Sequence, residues 1–577
     1  MAQGFLQIAI FFALVAAVVP LLGGHMARVF MGERTFLDRV VGPLERGTYR
    51  LLRIDAGRGQ DWKGYAKSLV VFSMVGWLAL FLILRTQTLH PFYTEGYHSG
   101  TWDLSFNTAS SFVTNTNWQY YGGETTLTYF SQMAGLAVQN FLSAAVGMTV
   151  AIALIRGIVA RRRDGGAVLG NFWQDLVRAT FYVLLPLSVI GALVLVSQGV
   201  VQTLGGVTSG LFRGPVASQE VIKELGTNGG GFFNVNSSYP FENPSAFSNL
   251  FEMFLILCVP ASLTYTYGRM VGSRRQGWAI FGAMSVLFVA GVVVVYLAEL
   301  HGTPAQHLAG VHTSAVDGST GGNLEGKEQR FGVANSALWT AVTTVTSCGA
   351  VNAAFESLTG IGGLVPFANL AYGESVFGGV GTGLYTMLLY VLLAVFIGGL
   401  MVGRTPEFLG KKIEAREIKL VSLGVLVTPL AVLVSSTLAL ATKYGKPSIY
   451  ASGPQGSSET LYAYLSQANN NGSAFAGYTG YVAPNAGNLG AHGVTFADLL
   501  GGVTMLGARF APILLVLAIA GTLAGKRVAP SGLGTLRTDT PTFVGLLIGT
   551  VVLIGALTFF PALLLGPVVQ GLTDRLF

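Results

Sequence analysis

Charged side chains are scarce in this chain of 577 residues. Asp, Glu, Lys and Arg make up 11% of it, whereas a soluble protein is typically about a quarter charged. So few charges cannot cover the surface of a large water-soluble molecule, and hydrophobic residues account for 51% of the chain. The composition therefore argues against a large soluble enzyme and predicts a polytopic membrane protein.

Cysteine and histidine are also rare. The two cysteines, Cys258 and Cys348, lie far apart in apolar surroundings, and two cannot build a disulfide framework or a zinc site. The seven histidines are not clustered, so we expect no catalytic metal site.

Two motifs of ATP-hydrolysing proteins are missing from the sequence. The chain has no Asp-Lys-Thr-Gly phosphorylation motif and no Gly-x4-Gly-Lys-Ser/Thr phosphate loop. We therefore expect that the chain is not catalytic by itself, does not hydrolyse ATP alone and carries no organic cofactor.

Long apolar stretches take the place of the missing charge. Ten of them are near the roughly 20 residues that a helix needs to cross a bilayer. They lie at about 5–23, 68–84, 136–155, 180–198, 248–266, 278–298, 384–402, 420–441, 499–523 and 542–566. The first resembles a signal-peptide core, but no basic stretch precedes it and a basic loop follows, which favours a retained helix with its N-terminus outside over a cleaved signal.

The basic residues predict the orientation in the membrane. The loops at 24–67, 156–179, 267–277, 403–419 and 524–541 hold 25 of the 34 Lys and Arg, so every second loop is basic and faces the cytoplasm. Topology therefore explains the net charge of +7 better than a nucleic-acid partner does, and we expect none.

Each of four outward connections contains an apolar piece that is too short to cross the membrane. These pieces lie at about 104–115, 217–227, 334–346 and 458–470, and each leads into a loop of small polar residues. Non-helical backbone at membrane depth is tolerated where it is buried in protein or lines a watery cavity. We therefore predict four re-entrant half-helices; surface helices on outer loops are the alternative.

The spacing of the four loops predicts an internal repeat. Placing Thr116, Gly229, Gly349 and Gly472 in equivalent positions gives intervals of 113, 120 and 123 residues. Each unit reads as span, half-helix, loop and span, and all loops enter from one side, so we expect an all-α fold of four pseudo-symmetric repeats around a central ion pathway. The predicted parts are an N-terminal peripheral helix with a basic cytoplasmic loop (1–60), repeats at 61–165, 166–276, 277–415 (with a gating loop) and 416–530, and a C-terminal peripheral helix (531–577).

The composition of the loops favours a cation filter. Rings of backbone carbonyls can replace the water shell of a potassium ion, and glycine allows the dihedral angles that such loops require. Each half-helix also directs its partly negative C-terminal end at its loop. The loops contain no carboxylate, which favours a weakly hydrated monovalent ion over calcium or magnesium. One such loop alone is typical of a helix C-cap, but four at matched spacing favour a filter.

Seven motifs give the chain a more specific resemblance. They are TNTNWQ at 114–119, GPVASQE at 214–220, TNGGGFFN at 227–234, FENP at 241–244, SCG at 347–349, GRTPEFLGKK at 403–412 and NNNGSAFAG at 469–477. Together they are similar to the motifs of the KdpA family, the potassium-translocating subunits of Kdp ATPases, which is related to the Trk, Ktr and HKT transporters. The resemblance covers nearly the whole chain.

The resemblance implies a filter, a transported ion and partners. The implied filter residues are Asn115, Thr116, Asn117, Thr227, Asn228, Gly229, Ser347, Cys348, Gly349, Asn470, Asn471 and Gly472. Potassium would be the transported ion. The expected setting is a heterotetramer in the bacterial inner membrane, in which a P-type ATPase catalytic subunit hydrolyses ATP and two small accessory membrane subunits complete the complex. Membrane lipid is the other expected partner.

A glycine-rich run precedes the seventh span. Residues 373–383 should break or delay a helix, and the resemblance to Trk and Ktr proteins implies a flexible gate here that includes Gly379, Gly381 and Gly383. Close packing through the small residues is the alternative. Glu374 in this run is placed to attract a cation that leaves the filter.

Two further residues belong to the expected pathway. Gln119 follows the first loop directly. Arg509 is the basic residue in the middle of the ninth span, where a charge is costly and usually faces protein or water. It would repel cations from an intracellular exit, line a tunnel to a partner, or pair with a carboxylate such as Glu374; the sequence leaves these alternatives open.

The remaining charged residues near the loops are expected to be structural. This applies to Lys223, Glu224 and Glu252, and the segment 325–330 is expected to be a solvated outer loop.

Three functions are compatible with these observations to different degrees. The first is a potassium-binding, channel-like subunit of an ATP-driven high-affinity uptake complex. The second is a stand-alone potassium channel or ion-coupled symporter of the same superfamily. The third is a membrane-embedded enzyme that acts on a lipid; it is weak because Glu252, Glu374, Arg509 and Cys348 are spread over different repeats and form no catalytic cluster in the sequence.

Overall fold

Ten long apolar helices make up about half of the part of the chain that the computed structural model describes, which is residues 1–92, 97–160, 168–205, 213–316, 319–480, 495–529 and 536–569. The ten helical spans are Ala2–Met31, Trp62–Arg85, Ser131–Val159, Phe172–Ser197, Ala246–Met270, Arg274–His301, Thr382–Met401, Ala415–Ala441, Phe496–Ala524 and Pro541–Leu563. Every predicted span is confirmed. Most extend beyond the apolar stretch because a helix can continue into polar residues outside the hydrocarbon region.

Four shorter helices lie between the spans where the half-helices were predicted. They are Trp102–Val113, Val216–Leu225, Gly332–Val345 and Gly453–Ala468. The last begins five residues earlier than expected, because Pro454 occupies the first turn, where its missing N–H leaves no hydrogen bond unmade. With 10 to 16 residues each, these helices are too short to cross a bilayer.

The repeats are arranged around a buried centre. The third span has 83% of its most apolar window buried inside the protein, and the fifth has 72%. The first span has 22% buried and the last 33%, the same values as the second and eighth spans, so the peripheral position of the first and last spans stays a prediction. The first span packs along the fifth, where the Thr266 hydroxyl donates a 3.1 Å hydrogen bond to the Gly23 carbonyl.

Side-chain caps fix where several of these helices begin. The Asp61 carboxylate accepts the Gly64 amide at the start of the second span, and Asn171 accepts two amides at the start of the fourth. Ser245 and Ser248 form a reciprocal capping box at the start of the fifth. Such caps satisfy amides that the first helical turn leaves without a partner.

Several smaller elements were not foreseen. A helix at Asp38–Leu51 lies in the first basic loop, and a helix at Gly360–Ala371 lies between the loop that follows the third half-helix and the glycine-rich run. Short helices at Gly123–Thr126 and Pro304–Leu308 connect larger elements. The described sheet structure is one pair of antiparallel two-residue strands, Glu407–Phe408 and Lys411–Lys412.

The expectation of a solvated outer loop at residues 325–330 is wrong for Lys327. Its ammonium group lies 2.7 Å from the Glu299 carboxylate, and both side chains are fully buried. Asn323 also donates to Glu299, so the top of the sixth span holds this loop in place. A charged loop sequence does not reveal a buried partner that another helix supplies.

Candidate functional site

Each of the four half-helices ends in the same type of cap. The residue that follows the last helical turn has a left-handed backbone, with φ of 72° at Asn115, 49° at Thr227, 50° at Ser347 and 55° at Asn470. In each loop the next amide donates to the carbonyl five residues earlier. These bonds run from Thr116 to Ser111 (2.9 Å), Asn228 to Lys223 (2.7 Å), Cys348 to Thr343 (3.0 Å) and Asn471 to Ser466 (2.8 Å). This six-to-one bond is the signature of a Schellman cap, so each loop by itself is a helix C-cap.

A second left-handed residue follows two positions later in every loop. It is Asn117 in the first loop (φ 54°), Gly229 in the second (76°), Gly349 in the third (98°) and Gly472 in the fourth (94°). The prediction that Thr116 is equivalent to the three glycines is therefore wrong by one residue. Asn117 occupies the equivalent position in the first loop. Asparagine is one of the few residues other than glycine that visit this conformation readily, which is why a search for glycine missed it.

The four loops contact one another in cyclic order. The Asn117 side-chain amide donates a 2.8 Å hydrogen bond to the Asn228 carbonyl, which joins the first loop to the second. A β-carbon on Gly229, Gly349 or Gly472 would overlap a backbone oxygen of the following loop, those of Cys348, Asn471 and Thr116 respectively. The loops thus form a closed ring in the order first, second, third, fourth, first.

Asparagine side chains brace this ring. Asn115 donates to the Thr227 carbonyl at 2.8 Å, and its own oxygen accepts from Ser143 and Asn228. Asn471 donates to the Thr343 carbonyl at 2.9 Å, which ties the fourth loop to the third half-helix. These amides are used as structural donors, so they hold the loops at fixed separations.

Several backbone oxygens of the ring have no partner. Within the described residues, the carbonyl oxygens of Thr116, Cys348 and Asn471 accept no hydrogen bond, although all three residues are buried. Buried carbonyls are paired in the great majority of cases. Unpaired carbonyls from three different loops at equivalent positions have the donor chemistry that a dehydrated monovalent cation requires.

The glycine-rich run lies directly against this ring. The Val380 amide donates to the Thr227 hydroxyl at 2.9 Å, and the Gly378 amide donates to the Val345 carbonyl at 2.9 Å. The run separates the helix Gly360–Ala371 from the seventh span, so it does delay a helix as expected.

The small residues of the run are closely packed. A β-carbon on Gly381 would overlap the Gly147 carbonyl, and one on Gly383 would overlap the Phe377 carbonyl. Gly379 lies beside Thr227 of the second loop. These contacts agree with close packing; a gating motion of the run remains a prediction.

Arg509 lies beside the glycine-rich run. Its guanidinium is 3.9 Å from the Glu374 carboxylate and donates a 2.7 Å hydrogen bond to the Thr382 hydroxyl. The two charged side chains are only 5% and 7% exposed. The pairing with Glu374 is therefore present in the structure. A role of Arg509 in repelling cations or in lining a tunnel stays a prediction.

A cavity lies beside this pair, between helices. It is lined by Glu374 and Arg509, by Asn469 at the start of the fourth loop, and by residues of the seventh, eighth, ninth and tenth spans.

A buried charged cluster stands behind the second loop. Lys223 is fully buried, 2.7 Å from the Glu220 carboxylate, 3.0 Å from Glu242 and 3.9 Å from Glu224. Carboxylate oxygens of Glu220, Glu224 and Glu252 also lie within 4.8 Å of one another. The cluster contains four carboxylates and one ammonium group, and burial raises the pKa of Glu242 to about 7.

This cluster is joined to the ring on both sides. The Lys223 carbonyl accepts the Asn228 amide, and the Cys348 thiol donates to Glu224 at 3.2 Å. The sequence predicts a structural role for Lys223, Glu224 and Glu252, but it does not predict Glu220 and Glu242 as their neighbours. The sequence does contain a sign of this cluster: Lys223 has glutamates three residues before it and one residue after it, on a half-helix that is too short to cross the membrane.

Gln119 lies at the edge of the ring. Its side-chain amide donates a 3.4 Å hydrogen bond to the Gly231 carbonyl, between the first and second loops. The residue is half-buried, so it borders the ring without belonging to it.

Ten spans, four half-helices and a closed ring of their C-terminal loops define a multi-pass membrane protein of channel-like architecture. Among solved structures, the potassium transporter TrkH from Vibrio parahaemolyticus is similar in fold, with a TM-score of 0.51 and 15% identity over 90% of this chain and 97% of that one.

The sequence comparisons are more specific. The model of the KdpA family, described as the potassium-transporting ATPase A subunit, matches residues 9–572. The chain is 53% identical to the potassium-transporting ATPase potassium-binding subunit of Rhodospirillum centenum, over 99% of this chain and 98% of that protein. It is 51% identical to the subunit of the same name from Sorangium cellulosum, over 99% of both. The chain belongs to the KdpA family.

Proposed function

We propose that this chain is the potassium-binding, channel-like subunit of an ATP-driven potassium uptake complex. It would bind potassium from outside in the ring of four loops and pass the ion inward. Membership of the KdpA family supports potassium transport, since the relatives are named potassium-binding subunits of a potassium-transporting ATPase.

The observation that carries the filter assignment is the closed ring of four equivalent caps. The twelve residues concerned are the three central positions of each loop: 115–117, 227–229, 347–349 and 470–472. Backbone oxygens would replace the hydration shell of the ion, and asparagine amides would keep the oxygens at a fixed spacing. The C-terminal ends of the half-helices add partial negative charge around the ring.

The route beyond the ring would pass the glycine-rich run. Glu374 offers a carboxylate to a departing cation, and Arg509 limits how strongly that carboxylate holds it. Gly379, Gly381 and Gly383 would let the run shift relative to Thr227, whose hydroxyl it now contacts. Gln119 would border the outer entrance.

ATP hydrolysis is assigned to another subunit. The chain has no ATP-binding motif of its own, and the relatives' names include an ATPase. We propose a bacterial inner-membrane complex with a P-type ATPase catalytic subunit and two small accessory membrane subunits, in which this chain contributes the six parts 1–60, 61–165, 166–276, 277–415, 416–530 and 531–577.

The filter assignment is tested with a matched pair of glycine variants. Gly229 and Gly199 both have positive φ, 76° and 97°, but a β-carbon would overlap neighbouring backbone only at Gly229. Gly229→Ala should weaken potassium binding at least about tenfold and reduce the preference for potassium over rubidium, because the second and third loops must move apart. Gly199→Ala should leave both unchanged.

The measurement is the potassium and rubidium affinity of each purified variant by calorimetry. Equal affinities for the Gly229→Ala protein and the unmodified protein would refute the filter assignment. If the potassium affinity fell by a similar factor in both variants, backbone strain at a positive-φ position would explain the loss, and contact between the loops would not.

A stand-alone channel or ion-coupled symporter is the second candidate. It is favoured by the ring itself, which needs no nucleotide to bind an ion. Potassium flux through the single purified chain in liposomes, without ATP or other subunits, would support this candidate. Flux that requires ATP and the assembled complex would support the first.

A further inference from the structure

The helix Asp38–Leu51 follows the first span and has three distinct faces. Val41, Glu45 and Tyr49 recur every four residues along one face. Val40, Leu44 and Leu51 share a second face, since spacings of four and seven residues return to the same side of a helix. Arg39, Arg46 and Arg50 share a third face by the same spacings. We call this element the loop helix.

The inner face of the loop helix is fixed to the body of the protein. The buried Glu45 carboxylate lies 3.0 Å from the Arg178 guanidinium and accepts the Tyr182 hydroxyl at 2.8 Å. Val41 packs with Val29 and Tyr182 in a small apolar cluster. Since these contacts come from the first and fourth spans, the rotation of the loop helix about its axis is set, and with it the direction of the other two faces.

The second face is apolar and uncovered. Val40 is 72% exposed, Leu44 is 53% exposed and Leu51 is 82% exposed. Phe36, two residues before the helix, and Leu52, directly after it, are exposed as well, at 78% and 59%. A contiguous row of large apolar side chains at one side of a docked helix is typical of an interaction surface and not of a helix surrounded by water.

The arginine face borders this apolar row. Arg39, Arg46 and Arg50 are all exposed. Among the described residues, no carboxylate lies within 4.0 Å of their charged groups, and none of the three side chains makes a hydrogen bond. The nearby acids are already engaged, because Asp38 accepts from Thr35 and Glu45 pairs with Arg178.

We propose that the loop helix is a binding site for anionic phospholipid of the cytoplasmic leaflet. Its apolar row would lie among the upper acyl chains, and Arg39, Arg46 and Arg50 would hold the phosphate groups of the lipid. An apolar face next to a basic face is the pattern of helices that lie in the membrane interface. The cytoplasmic leaflet carries the negative lipid charge that free arginines attract.

The position in the chain favours lipid over another protein as the occupant. The loop helix joins two membrane spans through short connections, from Met31 to Asp38 and from Leu51 to Trp62. Both ends are therefore held near the membrane surface on the side that the basic loops predict to be cytoplasmic. A protein partner would not need three unpaired arginines beside the apolar row, whereas a phosphate-bearing surface complements them.

The lipid preference is tested on the purified full chain by native mass spectrometry. The chain is incubated with equal amounts of dioleoyl phosphatidylglycerol and dioleoyl phosphatidylcholine, and retained lipids are counted. We expect phosphatidylglycerol to be retained preferentially. In the triple variant Arg39→Gln/Arg46→Gln/Arg50→Gln, its retention should fall about tenfold or more, while retention of phosphatidylcholine stays the same.

A matched control removes three other exposed arginines from predicted cytoplasmic loops. The control is the triple variant Arg404→Gln/Arg416→Gln/Arg527→Gln, which changes the net charge equally. Its retention of phosphatidylglycerol should remain near that of the unmodified chain. The proposal is overturned if the two triple variants lose phosphatidylglycerol equally, or if the unmodified chain shows no preference.

The depth of the apolar row gives an independent readout. Both native cysteines are buried, so Val40→Cys can be labelled selectively with an environment-sensitive fluorophore. In vesicles that contain phosphatidylglycerol, a spin label on the upper acyl chain should quench this fluorophore, both in the chain alone and in its assembled complex. Quenching that is absent in the chain, or lost on assembly, would show that water or another subunit covers the face and would overturn the lipid assignment.

Discussion

The side-chain amide of Asn117 donates a 2.8 Å hydrogen bond to the backbone carbonyl of Asn228, one loop further around the ring. In the other three loops the equivalent position is a glycine that touches the next loop through backbone alone. The ring is therefore asymmetric. Among the residues that the structure describes, the carbonyl has no partner at three junctions, and at the fourth it accepts from Asn117.

Replacing Asn117 by glycine would make all four junctions alike. Asn117→Gly removes the link between the first and second loops and frees the Asn228 carbonyl. A hydrogen bond of this kind contributes about 1 kcal/mol, so we expect potassium affinity to fall about fivefold, with a weaker preference over rubidium. Calorimetric titration of both ions measures this. Asn234→Gly, at an exposed position, is the control, and an unchanged Asn117→Gly protein would contradict the role assigned to Asn117.

Removing Lys223 should destabilise the protein and disturb the ring. The Lys223→Met protein leaves Glu220, Glu224 and Glu242 without their shared cation, and breaking a buried ion pair costs about 3–5 kcal/mol. Burial raises the pKa of Glu242 to about 7 in the unmodified protein, although Lys223 lowers it. Without Lys223 the carboxyl should bind its proton at a still higher pH, so the loss of stability should be largest in alkaline solution and should shrink as the pH falls. Thermal unfolding at several pH values measures both effects.

Lys327→Met provides the comparison for Lys223→Met. Lys327 is also fully buried against a glutamate, Glu299, but among the described residues no side-chain hydrogen bond or ion pair joins Lys327 to the four loops. Its replacement should lower stability in a similar way and leave the potassium affinity of the folded fraction unchanged. If the two variants changed the potassium affinity equally, the cluster around Lys223 would have no specific effect on the ion site.

Arg509 and Glu374 should be coupled in a double-mutant cycle. Arg509→Gln leaves the buried Glu374 carboxylate without a positive partner and should lower stability by about 3 kcal/mol. The double variant Arg509→Gln/Glu374→Gln removes both charges and should recover much of that loss. Thermal unfolding of the four proteins gives the coupling energy. If the stability losses of the two single variants add up to the loss of the double variant, the two charges do not interact. Arg509 would then have a role in the ion pathway only.

Glu459 should make the stability depend on pH. Gln455 donates to both Glu459 and Glu356, and burial together with the Glu356 carboxylate raises the pKa of Glu459 to about 8. The folded protein therefore binds this proton more tightly than the unfolded chain, in which the pKa of the carboxyl is 4.5. The stability that the proton confers is present at low pH and is lost as the pH rises through about 8.

Glu459→Gln tests this dependence because glutamine cannot ionise. The variant should show a smaller decrease of the unfolding temperature between pH 6 and about 9 than the unmodified protein, as the shifted pKa implies. Glu325→Gln, at an exposed position in another outer loop, should keep the full decrease. Parallel curves for Glu459→Gln and the unmodified protein would exclude Glu459 as the titrating group.

Local sequence patterns predicted some features of the site well and others poorly. The half-helices and their polar loops were found because a C-cap and a short apolar stretch are readable within about a dozen residues. The register of the first loop was wrong because Asn117, like glycine, can adopt a left-handed backbone. The sequence does not reveal the amphipathic loop helix, because its arginines are equally typical of an irregular basic loop on the cytoplasmic side.

The sequence by itself determined the ten spans, the four half-helices and the membrane setting. The reason is that bilayer thickness imposes a length and an apolar composition on each span separately. Only the tertiary structure decided the cyclic order of the loops, the link from Asn117 to Asn228, and the partners of Lys223 and Arg509. These contacts join elements far apart in the chain, and they depend on how the helices pack, which no single stretch of sequence records.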